Sequence, residues 1–370
     1  MLRPAELVRL FGRVGRRDGT IGPPQATPRG DPHRAFALRV DGQQPALALD
    51  EHVAHVRCGA THTSKAAESA VLVLRTSDKK GRGRGGFQWP TSGPVEAPDW
   101  RDDDLCGHGL HGLLWGCGDG GLLVSTADAV WQVVSVLEDD IRKLCGMVKF
   151  PRGEVVFSGD QNGATAYLDA HGAADKPVVF ATRTASDGSA ITAGDCNTIT
   201  AGHGCTVTAS SCGTVTAGSY STITAGDCST IDAGHDGTIT ASDYCRITTG
   251  YRSIITTGDY CRITVSHGCT ITAGDHTRIK AGDRCTITAG DYSTVVAGIG
   301  CTVVAGDNST VTAGHGCNVA VGPGGSFSIQ WRDAGAGCTR TAVGVIGEGG
   351  IEADTAYKLD DKGRFVKDTP

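Results

Sequence analysis

Four residues near the end of the N-terminal third, Cys106, His108, His111 and Cys117, carry side chains of types that bind zinc. Their spacing, C-x-H-x2-H-x5-C, fits no zinc pattern, and the glycines between them describe a tight loop, so neither a metal site nor a cofactor is expected. Gly81-Arg-Gly-Arg-Gly-Gly86 has the glycines of a phosphate-cradling turn but lacks the strand-then-helix context that such a turn needs. Lys79, Lys80, Arg82 and Arg84 stand beside Phe87 and Trp89, a pairing of cations and aromatic rings that can touch nucleic acid, but a solvated basic loop is the better reading of them. No Ser/His/Asp set or pair of carboxylates for acid–base work is recognisable, and no catalytic residue is assigned. The reading is non-enzymatic.

The remaining chemistry sits in threonines and cysteines, and their positions are set by a repeat. From Ala185 the chain runs ASDGSAIT AGDCNTIT AGHGCTVT ASSCGTVT without insertion or deletion to Ser328, as 18 octads in 144 residues. The consensus is A-G-D-x-[CS]-T-[IV]-T. The seventh position is Ile or Val from Ile191 to Val319 and Phe327 in the last octad. Positions 5 to 8 with the next Ala alternate in the period-2 pattern of a strand with one buried face. Gly and Asp at positions 2 and 3 make a corner. The Ile/Val, the Ala and the position-5 Cys or Ser go inward, and both threonines go outward. The 54 glycines, about twice the usual share, and the 5% aromatic content suit such a thin, small-residue core better than a large globular enzyme.

A second period fixes the architecture. Asp recurs at 195, 227, 243, 259, 275, 291 and 307, with only Ser211 interrupting, and His203, His235, His267 and His315 mark alternate corners. Cys196, Cys212 and Cys228 are sixteen apart, as are Cys269, Cys285, Cys301 and Cys317. Two octads therefore form one coil of two strands and two corners. Nine coils at about 4.8 Å each make a β-solenoid about 43 Å long. The chain is expected to be mainly β, with a small α+β N-terminal domain and a β-rich C-terminal cap.

The two flat faces differ. One carries a threonine column of Thr192, Thr208, Thr224, Thr240, Thr256, Thr272 and Thr288. Its partner column is Thr206, Thr222, Thr238, Thr270, Thr286 and Thr302, broken only by Ile254. Threonines two apart on a strand are about 6.7 Å apart and coils repeat at about 4.8 Å, a grid of methyl and hydroxyl groups that can hold water in an ice-like arrangement. On the other face Thr198, Thr214 and Thr230 give way to Arg246, Arg262 and Arg278, with Asp232 and Lys280 alongside. Tyr244, Tyr260, His276 and Tyr292 stack beside that face, where they either steady the coil stack or meet a second copy or another protein.

The A-G-x-x-S-T-x-T octads in 16-residue coils resemble the repeats of bacterial ice nucleation proteins, which form β-solenoids. The resemblance covers Ala185 to Ser328, about two-fifths of the chain. It implies ice-ordering chemistry and, as partner, ice or ordered water. The inward residue of T-x-T is always β-branched here, where that family often places a polar one, and this array is far shorter than the family's long arrays. The flanking segments LCGHGLHGLLWGCGDGG and GIEADTAYKLDDKGRFV are similar to uncharacterised domains around glycine-rich repeat arrays in bacterial and phage proteins, and bring no known activity.

Around the repeat, residues 1–65 are rich in Arg, Pro and Gly and are expected to be disordered; 66–184 form a globular cap; 185–328 form the solenoid; and 329–370 form the closing cap. Within the first cap AVLVLRT, VWQVVSVL and EVVFSG are predicted strands and LEDDIRKL a short helix or turn. Phe327 and Trp331 are the large residues expected where a thin core ends. A net charge of −6 gives no global pull toward nucleic acid, which is not an expected partner. No apolar run reaches signal-peptide or membrane-span length, so a reducing cytoplasm is expected, with cysteines as free thiols and cell-surface association left open.

Overall fold

The computed structural model describes residues 69–124 and 126–368, so the expectation for residues 1–65 lies outside the described residues. The three predicted strands of the N-terminal region belong to one antiparallel sheet of β1 (Ala70–Ser77), β2 (Gly93–Glu96), β3 (Leu110–Leu114), β4 (Val130–Leu137), β5 (Arg142–Lys143), β6 (Val148–Phe150) and β7 (Arg152–Gly159), in the order β2-β7-β4-β1-β3-β6-β5. β1 and β4 pair over their full length, from Ala70 opposite Leu137 to Ser77 opposite Val130. Their apolar runs are nearly continuous because both sides of the sheet are covered. Val73, Val134, Val136 and Phe150 pack on one side, and Leu74, Trp131, Val133 and Leu168 on the other.

LEDDIRKL holds only a single 3-10 turn, Glu138–Asp140, before β5. The α-helix is elsewhere: α1 (Gln161–Leu168), whose N-terminus is capped by the Asp160 carboxylate accepting from Gly163 N–H at 2.7 Å. Eight residues are too few for a helical period to show.

β8 (Thr182–Ala185) and β9 (Ala190–Ala193) begin two parallel sheets. Successive four-residue strands alternate between them, each pairing in register with the strand sixteen residues on, as Thr198 with Thr214 and Ile199 with Val215. Each sheet has eleven strands, the last one or two antiparallel. Exposure alternates along each strand as the period-2 pattern requires: Thr238 and Thr240 are exposed, Ile239 and Ala241 buried. The interior is a column of Ile and Val closed by Ala and, at position 5, mostly by Cys or Ser, with Asn197, Thr277 and glycine in the other coils.

The corners explain the rest of the consensus. The Asp275 carboxylate Oδ1 accepts the Asp291 N–H of the next coil at 2.8 Å and sits against Gly290, where any Cβ would overlap it. Asp259 does the same for Asp275, and Asp291 for Asp307. Glycine at position 2 and aspartate at position 3 are thus one device: the carboxylate satisfies a backbone donor that the turn leaves unpaired, and the missing Cβ makes room for it.

Both ends of the core are closed. On the first rung Arg183 occupies the inward Ile/Val position, opposite Ile199. Its buried guanidinium pairs with Asp169 at 2.6 Å and donates to the carbonyls of Ala173 and Lys176. At the far end Ser326–Asp333 turns back antiparallel to Cys338–Val345, and Tyr357 pairs opposite Val319. Phe327 is buried against Tyr357 and Phe365, and Trp331 lies over Gly363.

Candidate functional site

The interior forces the outer surface into register. Because Ile239, Ile255 and Ile271 stack inward on consecutive coils, Thr240, Thr256 and Thr272 must stack outward. In the sheet begun by β9, Thr192, Thr208, Thr224, Thr240, Thr256, Thr272 and Thr288 are direct ladder neighbours. Thr206, Thr222, Thr238, Thr270, Thr286 and Thr302 form the parallel column, with exposed Ile254 between Thr238 and Thr270. Thr192, Thr288 and Thr302 are half-buried, and the other columnar threonines are exposed. Beyond Thr288 and Thr302 the columns end in Val304 and Asn318.

In the sheet begun by β8, Arg246 faces Arg262, which faces Arg278, with Lys280 opposite Thr264. Among the described residues none of these three arginines has a carboxylate within 4.0 Å. Like charges directly opposite one another destabilise a sheet, so this column costs stability where threonine would not.

Position 4 of each octad carries an additional feature that the repeat pattern alone does not reveal: its backbone is left-handed. At one corner glycine fills this position at 188, 204, 268, 300 and 316. At the other, Cys196, Cys212, Cys228, Tyr244, Tyr260, His276, Tyr292 and Asn308 all hold φ between 54° and 59°. A side chain in this region costs about 1 kcal/mol or more relative to glycine. Stacking offsets it: the Tyr244, Tyr260, His276 and Tyr292 rings lie 5.0, 4.7 and 5.0 Å apart with planes within 9° of parallel.

The same corner divides the repeat cysteines into an inward and an outward set. Cys205, Cys245, Cys261, Cys269, Cys285, Cys301 and Cys317, at position 5, are buried. Cys196, Cys212 and Cys228, at position 4, are exposed, because the left-handed turn aims their side chains outward. The shared sixteen-residue spacing of both sets conceals which position in the octad each one holds.

Across 103 residues the chain is 42% identical to the ice nucleation protein of Xanthomonas campestris pv. translucens, over 27% of this chain and 7% of that protein. It is 45% identical over 101 residues to that of Pseudomonas syringae, covering 27% of this chain and 8% of the relative, and 38% identical over 106 residues to ice nucleation protein InaU of Pantoea ananas, covering 28% and 10%. The octad array is of the ice nucleation protein type. The match spans only a tenth or less of those relatives' length. No protein-family model matches the chain, and no solved structure does.

Outside this ice nucleation-type array, the N-terminal candidates separate. Cys106, His108, His111 and Cys117 are not brought together as a metal cluster, and among the described residues no such cluster occurs. His108 faces Asp99 at 3.4 Å. Burial pushes the Cys117 thiol pKa up, which does not suit a nucleophile. In the basic loop Arg82 pairs with Asp78 at 3.0 Å and Lys79 with Asp128 at 3.6 Å. Trp89 is buried beneath the Arg75 guanidinium at 3.5 Å and offers no face for stacking a base. Among the described residues no helix is long and apolar enough to cross a membrane.

Proposed function

We propose that this chain is a non-enzymatic, ice-binding or ice-nucleation-like protein that orders water on its Thr-x-Thr face. The observation that carries the reading is the pair of in-register threonine columns, Thr192 to Thr288 and Thr206 to Thr302, on a rigid parallel sheet. Their spacings of about 6.7 Å along the strand and about 4.8 Å across it form a flat, repeating set of hydroxyl and methyl groups. A rigid backbone holds those groups without further ordering cost when water organises over them. The names of the relatives point the same way. Regions 66–184 and 329–370 serve in this account as caps, which keep sheet edges from pairing with other chains. Droplet freezing and ice-recrystallisation assays on the purified chain test it. A protein that neither raises the freezing temperature nor restrains recrystallisation leaves the threonine face as a soluble strand surface.

A second reading is favoured by the opposite face, where unpaired Arg246, Arg262 and Arg278 flank the left-handed ladder of Tyr244, Tyr260 and Tyr292. Retaining charge repulsion and backbone strain together marks a surface kept for contact, with a second copy or another protein, and the rod would then act as a scaffold. Sedimentation of the chain with and without Arg246→Ala and Arg262→Ala separates this reading from the first.

A further inference from the structure

The N-terminal sheet holds a buried cation, stacked on the Trp89 ring, that no carboxylate among the described residues neutralises. Arg75, on β1, is 5% exposed. Two of its N–H groups go to uncharged acceptors, Gln132 Oε1 at 2.6 Å and the Thr76 carbonyl at 2.7 Å, and its Nε has no partner. Among the described residues no carboxylate lies within 4.0 Å of it. Burial lowers its pKa to about 9, which leaves it charged at neutral pH. A buried cation without a counter-ion is costly, and proteins ordinarily pair it.

This guanidinium lines a cavity of about 650 Å³. Leu113, Leu123, Val124 and Met147 contribute apolar wall, and His111, whose Nε2 has no partner, contributes a neutral polar group, since burial pushes its pKa down. Among the described residues the one carboxylate on the wall, Asp99, is occupied with the Gly109 N–H at 3.1 Å and with His108. Gly83 opens the way to the charge: a Cβ there would stand 3.1 Å from Arg75 Nη2 and 3.0 Å from Trp89 Nε1. The size and the mix of apolar wall with a few convergent donors are those of a small-molecule site.

The geometry points to a binding site for a small organic carboxylate with an apolar body, its carboxylate held by Arg75 and the Trp89 indole N–H and its body against the leucine-lined wall. The site is independent of the threonine face, and its failure would leave the ice reading untouched.

Calorimetric titration of the full chain with benzoate, and with benzyl alcohol as the uncharged analogue, tests it. Benzoate is expected to bind about tenfold or more tightly than benzyl alcohol, the margin of a charge-assisted hydrogen bond. Arg75→Gln should remove that preference. Because loss of Arg75 can disturb the fold, Gly83→Ala is the second variant; it keeps the charge, carries no left-handed backbone, and places a methyl group in the entrance. It should weaken benzoate by a similar factor in a chain that circular dichroism shows still folded, since the methyl group asks its neighbours to give by only a few tenths of an ångström. Absence of benzoate binding, equal binding of the alcohol, or unchanged benzoate affinity in Gly83→Ala would each overturn the proposal.

Discussion

From Thr192 to Thr288 one face of the solenoid repeats a single side chain on seven successive coils, whereas across the core the outward column two residues earlier in the octad changes from Thr230 to Arg246 and keeps arginine through Arg278, and the column equivalent to Thr192–Thr288 is broken by Asp232 and Lys280. The interiors behind the two are the same stack of Ile and Val. Fold requirements therefore cannot be the reason for the difference, because the strands behind the arginines are as regular as those behind the threonines. The outward positions are free to vary, and a column that stays uniform is uniform for a reason outside the fold.

The comparison breaks most completely if the shared interior is damaged. Ile239 is buried between Ile223 and Ile255, and Ile239→Ala should cost about 2–5 kcal/mol, with Ile239→Val costing about 0.5–1.5 kcal/mol. Chemical denaturation gives the size, and hydrogen exchange should show protection lost on both faces together. Loss confined to the threonine sheet would mean that the two sheets do not share one core.

Thiol chemistry sharpens the inside–outside assignment. Under native conditions Cys196, Cys212 and Cys228 should be alkylated well before Cys269, Cys285, Cys301 and Cys317. The Cys317 pKa is pushed up, first by its hydrogen bond with Cys301 and then by burial, so little thiolate forms even where reagent enters. Burial also raises Cys196 and Cys228, which slows them without protecting them. Peptide mapping after a short native pulse reads both sets in one experiment.

Smaller effects probe the corner and the arginine face. Tyr260→Gly relieves a left-handed side chain but removes two stacking contacts, each worth about 0.5–1.5 kcal/mol, so the net stability change should stay within about 1 kcal/mol. Arg246→Ala with Arg262→Ala should leave stability unchanged or raise it by a few tenths of a kcal/mol, since like charges opposite one another are removed. The smallest effect is acid sensitivity at the other corner. Asp236, between Arg252 and His235, has its pKa held low, mainly by the Arg252 hydrogen bond. Its stabilisation is present above the unfolded carboxylate pKa of about 3.9 and is lost as pH falls through the lower folded value. Asp236→Asn should therefore lower stability by its full amount above about pH 4 and by progressively less below it, the two proteins converging once pH is below the folded value.

Much of this was legible in the sequence because the octad is short and unbroken. Two interleaved periods, eight for Ile/Val and sixteen for Asp, define the strands, the coil and which threonines share a face. Side-chain direction at position 4 was not legible, since tyrosine and cysteine give no hint of a left-handed backbone that glycine would signal. Arg183 was missed because an arginine in an inward slot breaks the pattern; only Asp169, fourteen residues earlier and in a different element, explains it. The cavity around Arg75 was also hidden, because it joins β1, the loop at Gly83 and β3, which nothing local in the chain connects.

The central claim is that the uniform face, and not the solenoid as such, organises water. Its most direct test is droplet freezing with ice-affinity partitioning, comparing the unaltered chain, Thr240→Lys with Thr256→Lys, and Arg246→Ala with Arg262→Ala. All three proteins should fold, since the substitutions are on exposed positions and cost at most about 1 kcal/mol. The account predicts activity in the unaltered chain, a sharp loss in the threonine variant, where two hydrated ammonium groups displace the ordered water, and full activity in the arginine variant. Equal activity in all three, or loss in the arginine variant alone, would contradict it.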